Sequence, residues 1–209
     1  MTFVSAILTA AGESTRMGRP KPLLPWRGVP LVRYQADSLV AAGVAEVVVV
    51  LGHEHELVAP QVGGARVRWV VNPDYGLGKT TSIRAGLRSI AAHATDILLL
   101  AVDQPRTPEI IAAVIHTHTT AGASITSPRY AGRGGHPLAF SARLKGELEA
   151  VSEVTQGVRQ VLEAHSAEVQ ELSIDDPLVR LDINSPEAYE EARALYGEPG
   201  ASDQLYNEL

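Results

Sequence analysis

The hydrophobic positions in the first half of the chain fall into four short, continuous runs that are rich in branched side chains. Such runs are typical of strands buried on both faces of a parallel sheet. They occupy residues 3–8, 46–51, 67–71 and 96–102. We therefore predict four strands in this half.

Between these runs, apolar residues recur at helical spacing in residues 30–43 and 81–93. The first of these segments has Pro30 at its start and Gly43 at its end, the usual order for a helix. Strands that alternate with helices predict an α/β fold with right-handed crossovers, built on an open, mostly parallel sheet with helices on both faces.

The second half continues the alternation. It predicts helices at 108–121, 142–151 and 155–164, strands at 124–127, 137–140, 168–172 and 179–181, and a last helix that starts after Asn184. Asn184 and Glu187 have capping-box spacing around Pro186, which predicts Asn184 as the N-cap. No repeat or linker divides the chain, so we predict a single domain at 1–196 and a disordered acidic tail at 197–209.

The composition narrows the class of protein. The chain has 209 residues, 45% of them hydrophobic, and no cysteine, so disulfides, thiolate metal sites and cysteine nucleophiles are excluded. No apolar run approaches the roughly 18 to 20 residues of a membrane span, and the N-terminus lacks a basic signal start. We expect a cytoplasmic enzyme or binding protein with no membrane partner.

The charge distribution indicates a local anion site. The net charge of -6 argues against a nucleic-acid partner. Residues 1–33 nevertheless carry five basic side chains against the single acid Glu13. Phosphates are a plausible ligand for this N-terminal segment.

Two loops follow predicted strands where an open α/β sheet binds its ligands, residues 8–26 and residues 101–105. If the first and fourth strands are neighbours, these loops face one crevice. In the first loop, the small residues 10–12 allow backbone amides to approach an anion, and Arg16 and Lys21 supply cations. A solvated, glycine-rich connection explains the same composition.

Two acids follow apolar segments, Asp103 in the second loop and Asp182 near the C-terminus. Carboxylates at strand ends are well placed to share a Mg²⁺ ion, which takes few carboxylates together with phosphate oxygens. Each acid alone fits a loop or a helix cap equally well. Their pairing favours the metal site.

The segment 72–82 contains Gly-Lys-Thr, the end of a P-loop, but Pro73 stands where that motif needs its first glycine. We therefore exclude an ATPase-type P-loop. The His53–Glu56 run lacks the spacing of a zinc motif. Trp26 and Trp69 are predicted to be packing residues.

Residues 8–28, LTAAGESTRMGRPKPLLPWRG, resemble the signature of nucleotidyltransferases that pass a nucleoside monophosphate from an NTP to a phosphorylated acceptor. Further segments are similar to the molybdenum cofactor cytidylyltransferases: TAAG (9–12), NPDYGLGKTTS (72–82), VDQP (102–105), GGHP (134–137) and LDINSPEAY (181–189). The resemblance spans about residues 4–195. It implies a Rossmann-like three-layer sandwich of the nucleotide-diphospho-sugar transferase type.

The resemblance also implies residue roles. The catalytic residues would be Arg16, Lys21 and Asp103, with Lys21 neutralising charge at the α-phosphate. The nucleotide would be bound by these three together with Leu8, Ala10, Ala11, Gly12, Asn72, Gly78 and Ser82, the last three lining the base pocket. The acceptor would face Gly135, His136 and Pro137, and Mg²⁺ would be held by Asp103 and Asp182.

The implied reaction is transfer of CMP from CTP to the phosphate of molybdopterin or molybdenum cofactor, with release of pyrophosphate. A recipient molybdoenzyme is a further partner under this interpretation. Relatives often have an Asp where this chain has Asn184, so Asp182 would carry more of the metal site. Guanylyl transfer, nucleotidyl transfer to a sugar phosphate, and a non-catalytic cofactor carrier are the alternatives.

Overall fold

The computed structural model describes residues 2–197. Its main sheet has eight strands, in the order β10-β7-β9-β6-β1-β4-β5, with β8 paired to β7, and β2 and β3 form a separate pair. The strands are β1 (Val4–Ala10), β2 (Pro25–Trp26), β3 (Val29–Pro30), β4 (Glu46–Leu51), β5 (Val67–Val71), β6 (Asp96–Ala101), β7 (Ile125–Tyr130), β8 (Arg133–Gly134), β9 (Leu138–Ser141) and β10 (Val169–Ser173).

The helices connect the strands. They are α1 (Leu31–Ala41), α2 (His55–Val58), α3 (Lys79–Ser89), α4 (Pro108–Ala121), α5 (Lys145–Ala150), α6 (Val158–Ala164) and α7 (Pro186–Ala192). Short 3-10 helices lie at Thr15–Met17, Lys21–Leu23, Ala59–Gln61, Tyr75–Leu77, Ala142–Leu144, Ser166–Glu168 and Pro177–Arg180, and a π-helical turn at Arg193–Gly197. No helix in residues 2–197 has the length and apolar character needed to cross a membrane.

The sheet separates two hydrophobic clusters. One contains Leu8 and packs α1, α4 and α7 on one face; the other contains Ile7 and packs α3, α5 and α6 on the opposite face. Neighbouring residues of β1 thus point into different layers, as the two-residue period of a strand requires. Helices on both faces confirm the predicted α/β sandwich.

The sheet is mixed. β1 pairs in parallel with β4 and β6, whereas β9 runs antiparallel to both β6 and β7. The four strands predicted in the first half are all present, and the mostly parallel sheet is confirmed. The single-domain boundary stays a prediction, and the predicted tail lies outside the described residues except for Gly197.

Three local predictions are wrong. The strand predicted at 179–181 is instead the 3-10 helix Pro177–Arg180, because the carboxylate of Asp176 accepts from the Leu178 amide and turns the chain. The N-cap of α7 is Ser185, whose hydroxyl accepts from the Ala188 amide. Trp69 is 44% exposed because it lies on the edge strand β5, whereas Trp26 is buried as predicted.

Candidate active site

A cavity of about 460 Å³ opens at the carboxyl ends of β1 and β6. These two strands are hydrogen-bonded neighbours, with Thr9 opposite Ala101, so the two loops predicted to share a crevice do so. Residues that line this first cavity are Thr9, Ala10, Ala11, Gly12, Ser14, Thr15, Arg16, Lys21, Pro22, Tyr75, Lys79, Ser82, Ala101, Val102, Asp103, Gln104, Asp182 and Asn184.

The loop after β1 is folded back on itself. Ser14 has a left-handed backbone, and its hydroxyl accepts a hydrogen bond from the Lys21 amide at 3.1 Å. Beneath the loop, Gly52 leaves room for Ala11, whose carbonyl would lie 2.7 Å from a Cβ at position 52. The His53 amide donates to the same carbonyl at 3.1 Å. These contacts fix residues 10–12 at the wall of the cavity.

Lys21 joins three segments that are distant in sequence. Its ammonium group donates to Asp103 Oδ2 at 2.9 Å and to Asn184 Oδ1 at 3.1 Å. The side chains of Lys21 and Asp103 are 13% and 25% exposed. The cation is thus held in place before any substrate binds, and Asn184 contacts it instead of capping α7.

Asp103 and Asp182 line the same cavity, and their segments are connected through the backbone. The Ile183 amide donates to the Asp103 carbonyl at 2.8 Å. Residues 2–197 contain no group of three or more His, Cys, Asp or Glu side chains that could hold a metal ion by itself. An oxygen-only pair of this kind fits Mg²⁺, which completes its shell with phosphate oxygens and water.

Arg106 holds the loops around the cavity together. It is completely buried, and its guanidinium donates at 2.9 Å to the carbonyls of Pro105, His136, Val179 and Leu181. Burial lowers the pKa of Arg106 to about 10, while the charges of Asp182, Asp103 and Asp176 oppose that shift. The group stays charged at neutral pH and links the segment of His136 to the segment of Val179 and Leu181.

A buried glutamine, Gln35, also holds the loop that contains Asp103 through hydrogen bonds to its backbone. The Gln35 amide group donates to the carbonyls of Ala101 and Gln104, and its oxygen accepts from the Arg106 amide at 3.1 Å. Neither Gln35 nor Arg106 was predicted from the sequence. Gln35 lies on α1 and its role depends on long-range contacts that no local pattern reveals.

A second cavity of about 400 Å³ adjoins the first and shares Thr9, Lys79, Ala101 and Gln104 with it. Its other lining residues are Thr80, Ile83, Leu99, Leu100, Ser127, Gly134, Gly135, His136, Leu138, Gln156, Val158, Arg159 and Leu162. Two of the three predicted acceptor residues, Gly135 and His136, therefore lie on this cavity. Pro137 is buried behind them, after a cis peptide bond.

The segment 134–137, which was predicted to face the acceptor, is closely packed. A Cβ at Gly135 would lie 2.2 Å from the Val179 carbonyl, which also accepts from the His136 amide at 3.0 Å. Burial, with the positive charges of Arg106 and Lys79, lowers the pKa of His136 to about 4, against the opposing charge of Asp103. The imidazole is therefore neutral at pH 7.

Of the three residues predicted to contact the base, Ser82 lines the first cavity, whereas Asn72 and Gly78 do not. Asn72 is 3% exposed and donates to the hydroxyls of Thr81 and Ser82 at 2.8 and 3.0 Å. Gly78 lines neither cavity; it has φ +114° and packs against Glu153. Asn72 and Gly78 thus shape the segment, and a direct base contact by either stays a prediction.

Leu8 also lies away from the cavity wall, because its side chain is buried in the core. Tyr75 and Lys79, by contrast, line the first cavity although the sequence analysis gave them no role. The signal that could have found them is their position at the start of a helix that faces the sheet: Tyr75 lies in the turn before α3 and Lys79 is its first residue.

Comparison with known proteins settles the family. Residues 6–169 match the family model of the MobA-like NTP transferase domain. The chain belongs to the MobA-like NTP transferase family. This result confirms the predicted family and the prediction of a nucleotidyltransferase.

Two relatives of this MobA-like chain are similar over nearly its whole length. It is 33% identical over 193 residues to nicotine blue oxidoreductase of Paenarthrobacter nicotinovorans, covering 88% of this chain and 93% of that protein. It is 27% identical over 202 residues to molybdenum cofactor cytidylyltransferase of Escherichia coli strain K12, covering 95% and 100%. Several other curated relatives are longer proteins, of which the chain spans between 13% and 33%.

Solved structures of the MobA-like fold agree with the architecture. Rv0371c from Mycobacterium tuberculosis H37Rv superposes with a TM-score of 0.80 at 29% identity, covering 91% of this chain and 97% of that one. A second structure of Rv0371c, in complex with manganese, gives a TM-score of 0.74 at 28% identity, with the same coverage of 91% and 97%.

Proposed function

We propose that this MobA-like chain is a Mg²⁺-dependent cytidylyltransferase that transfers CMP from CTP to the phosphate of molybdopterin or molybdenum cofactor and releases pyrophosphate. One observation carries the proposal: a cavity with the Lys21–Asp103–Asn184 contact and Asp182 shares four lining residues with a second cavity lined by Gly135 and His136. Two joined cavities suit a donor and an acceptor that react with each other.

The proposed donor site combines backbone amides with cations. The backbone of residues 10–12 and the side chain of Arg16 would contact the triphosphate, since both line the first cavity. Lys21 lies between Asp103 and Asn184 and would meet the charge that develops at the α-phosphate. When bound at Asp103 and Asp182, Mg²⁺ would supply further charge neutralisation to the transferring phosphoryl group.

In the proposed reaction, the main task of the protein is to position the acceptor phosphate against the α-phosphorus of CTP. An oxygen of the acceptor phosphate approaches the α-phosphorus from the second cavity, in line with the leaving pyrophosphate. Such transfer depends on geometry and charge neutralisation more than on an acid–base pair. The neutral imidazole of His136, with a pKa of about 4, accordingly needs no role in proton transfer.

The choice of CTP and of a molybdopterin acceptor is supported by the Escherichia coli relative, which is named a molybdenum cofactor cytidylyltransferase and matches 95% of this chain. The manganese complex of Rv0371c supports a divalent ion in this fold. We place the reaction in the cytoplasm, and a molybdoenzyme that receives the product would be a further partner.

A pyrophosphate-release panel tests the proposal. Purified protein with Mg²⁺ is given each of the four NTPs, crossed with molybdopterin, molybdenum cofactor and sugar phosphates. Release that requires CTP and a molybdopterin acceptor is expected. Release only with GTP, or only with a sugar phosphate, would assign a different transferase, and cofactor binding without any release would indicate a carrier.

A second candidate function is oxidoreduction, favoured by the 33% identity over 193 residues to nicotine blue oxidoreductase. The chain has no cysteine, so thiol chemistry could not supply the electrons and an external reductant would be needed. Nicotine blue with NADH or NADPH is the direct assay. Loss of the blue absorbance at the rate of enzymatic turnover, without pyrophosphate release in the panel, would replace the transferase proposal.

A further inference from the structure

Lys79 occupies the boundary between the two cavities. It is the first residue of α3, its side chain is exposed, and it lines both cavities. Within residues 2–197 its ammonium group makes no hydrogen bond or ion pair, whereas Lys21 is held by Asp103 and Asn184. A cation without a partner at the junction of two cavities is free to bind an anion there.

The positive charge at this boundary comes from the side chain rather than from the end of the helix. The first turn of α3 is already capped, because Glu153 accepts a hydrogen bond from the Thr80 amide at 2.7 Å. Gly78 has no Cβ, and this allows the Glu153 side chain to approach that closely. An anion that enters the boundary therefore meets Lys79.

The second cavity beyond Lys79 has an apolar wall. It is formed by Ile83, Leu99, Leu138, Val158 and Leu162. The hydroxyl groups of a sugar would lose hydrogen bonds to water against such side chains, which carries a cost in free energy. The faces of a flat ring would pack against them with little loss.

We propose that Lys79 holds the anionic group of the acceptor at the boundary between the two cavities, so that the ring body of the acceptor lies against the apolar wall. This inference rests on the proposed function. The anion oxygen forms a bond to the α-phosphorus of the nucleotide, and the bond from that phosphorus to the β-phosphate oxygen breaks. Pyrophosphate leaves with the electron pair.

Binding measurements without turnover test this role. 1-Naphthyl phosphate, 1-naphthol and glucose 1-phosphate are titrated calorimetrically into the protein with excess CTP and no divalent metal. In the wild type we expect 1-naphthyl phosphate to bind more tightly than either of the others. Lys79→Ala should raise the Kd for 1-naphthyl phosphate about 10- to 100-fold, the scale of a lost charge-assisted hydrogen bond. The Kd for 1-naphthol should not change.

Two matched variants complete the experiment. Lys79→Arg should restore most of the affinity for 1-naphthyl phosphate. Arg88→Ala removes an exposed cation from the last turn of the same helix, outside both cavities, and should have no effect. An equal loss of 1-naphthol and 1-naphthyl phosphate binding in Lys79→Ala, or glucose 1-phosphate binding as tight as 1-naphthyl phosphate, would overturn the assignment.

A kinetic measurement separates this inference from the proposed function. With whichever acceptor reacts in the panel, Lys79→Ala should raise the acceptor KM about tenfold or more and change the KM for CTP less than Lys21→Ala does. If Lys79→Ala raised the KM for CTP more than Lys21→Ala does, Lys79 would be assigned to the proposed donor site instead. If no acceptor reacts, the proposed function fails while the binding measurements still decide the role of Lys79.

Discussion

Asp103 is the residue on which the proposed chemistry depends most. Its carboxylate contacts Lys21 at 2.9 Å and lines the first cavity together with Asp182. We predict that Asp103→Asn lowers kcat by about two to three orders of magnitude, the scale of losing one group that stabilises a transition state.

Steady-state pyrophosphate release measures the effect of Asp103→Asn. Asp175→Asn, at an exposed acid outside both cavities, is the control and should retain wild-type turnover. A near wild-type rate for Asp103→Asn would show that the proposed metal is held elsewhere.

Arg106 is expected to matter for stability before it matters for chemistry. Replacing its buried guanidinium removes a hydrogen-bond donor from four backbone carbonyls, of which that of Val179 still accepts from the His136 amide. We predict that Arg106→Met lowers the free energy of unfolding by about 3–5 kcal/mol, the cost of removing one member of a buried charged network. Urea denaturation measures the change.

Arg33→Met provides the comparison for Arg106→Met. The Arg33 side chain is 44% exposed and pairs with Asp37 on the same helix, so its loss should change the free energy of unfolding by less than about 1 kcal/mol. Similar losses in both variants would mean that the contacts of Arg106 contribute no more than a surface ion pair.

At the scale of the elements, His165, which directly follows α6, links α5 to the 3-10 helix Ser166–Glu168 that precedes β10. Its imidazole contacts Glu168 at 3.1 Å and Glu147 at 2.9 Å. Hydrogen bonds to Glu168 and then Glu147 raise the pKa of His165 above its ordinary value, and hydrogen bonds from Ser124 and His165 help to lower the pKa of Glu168 to about 2. The protonated imidazole therefore contacts the ionised carboxylate of Glu168 in mildly acidic solution.

This contact gives stability a defined pH dependence. Since the folded pKa of His165 is raised, its contribution is fully present below the unfolded pKa of about 6.5 and disappears as pH rises through the folded value. We predict that His165→Gln lowers the thermal midpoint more at pH 5.5 than at pH 9. The difference should be small because the groups are exposed.

Differential scanning calorimetry at the two pH values checks the prediction for His165. His116→Gln, on the exposed side of α4, is the control and should show no such pH-dependent difference. An equal decrease in the thermal midpoint of His165→Gln at both pH values would contradict the role of the charge.

A second histidine illustrates how a catalytic-looking arrangement can be structural. His118 on α4 contacts the Thr126 hydroxyl at 2.9 Å and Asp96 at 3.1 Å, in the order of a nucleophile–base–acid triad. Thr126 and His118 are both buried and neither lines the two cavities described above. The arrangement joins α4 to β7 and β6 and gives no access to a substrate.

At the scale of the whole molecule, ligand binding should stabilise the fold, because the first cavity draws residues from both ends of the described chain. We predict that CTP at about 100 times its Kd adds about 2.7 kcal/mol to the free energy of unfolding. Chelation of divalent ions with EDTA should reduce this gain if Asp103 and Asp182 hold the metal. Thermal shift with CTP, with and without EDTA, measures both effects.

The Asp182→Asn variant distinguishes the stabilisation by the divalent ion from the stabilisation by CTP. In this variant EDTA should make little further difference to the CTP-induced shift. An EDTA effect of wild-type size would mean that Asp182 is not part of the metal site.

The parts of the molecule whose structure has a local cause could be predicted from the sequence. The runs that became β1, β4, β5 and β6 are continuous and branched, so the pattern of each run was enough to predict a strand; burial on both faces was wrong for β5, which lies at the edge of the sheet. The segment 179–181 was also predicted to be a strand, but Val179 and Arg180 belong to a 3-10 helix. The Asp176 N-cap and Pro177 in the first turn favour this helix over a strand. A three-residue apolar run is too short to decide its own structure.

In the candidate site too, residues within local motifs were predicted, whereas residues that act through long-range contacts were missed. Asp103, Asp182, Arg16 and Lys21 were predicted from loops that carry a recognisable signature, and all four line the first cavity. Arg106 and Gln35 were missed because their importance lies in which backbone carbonyls they reach across the fold. Such contacts are a property of the assembled chain and have no periodicity to detect.

The hydrogen bond from the Ile183 amide to the Asp103 carbonyl has a consequence for how this enzyme family can diversify. It fixes the separation of the two carboxylate segments through the main chain, so substitutions at neighbouring side chains leave that separation intact. Substitutions in the walls of the second cavity can then change what that cavity accommodates while Asp103 and Asp182 keep their spacing. A single main-chain hydrogen bond would thereby let the proposed acceptor site vary independently of the proposed metal site.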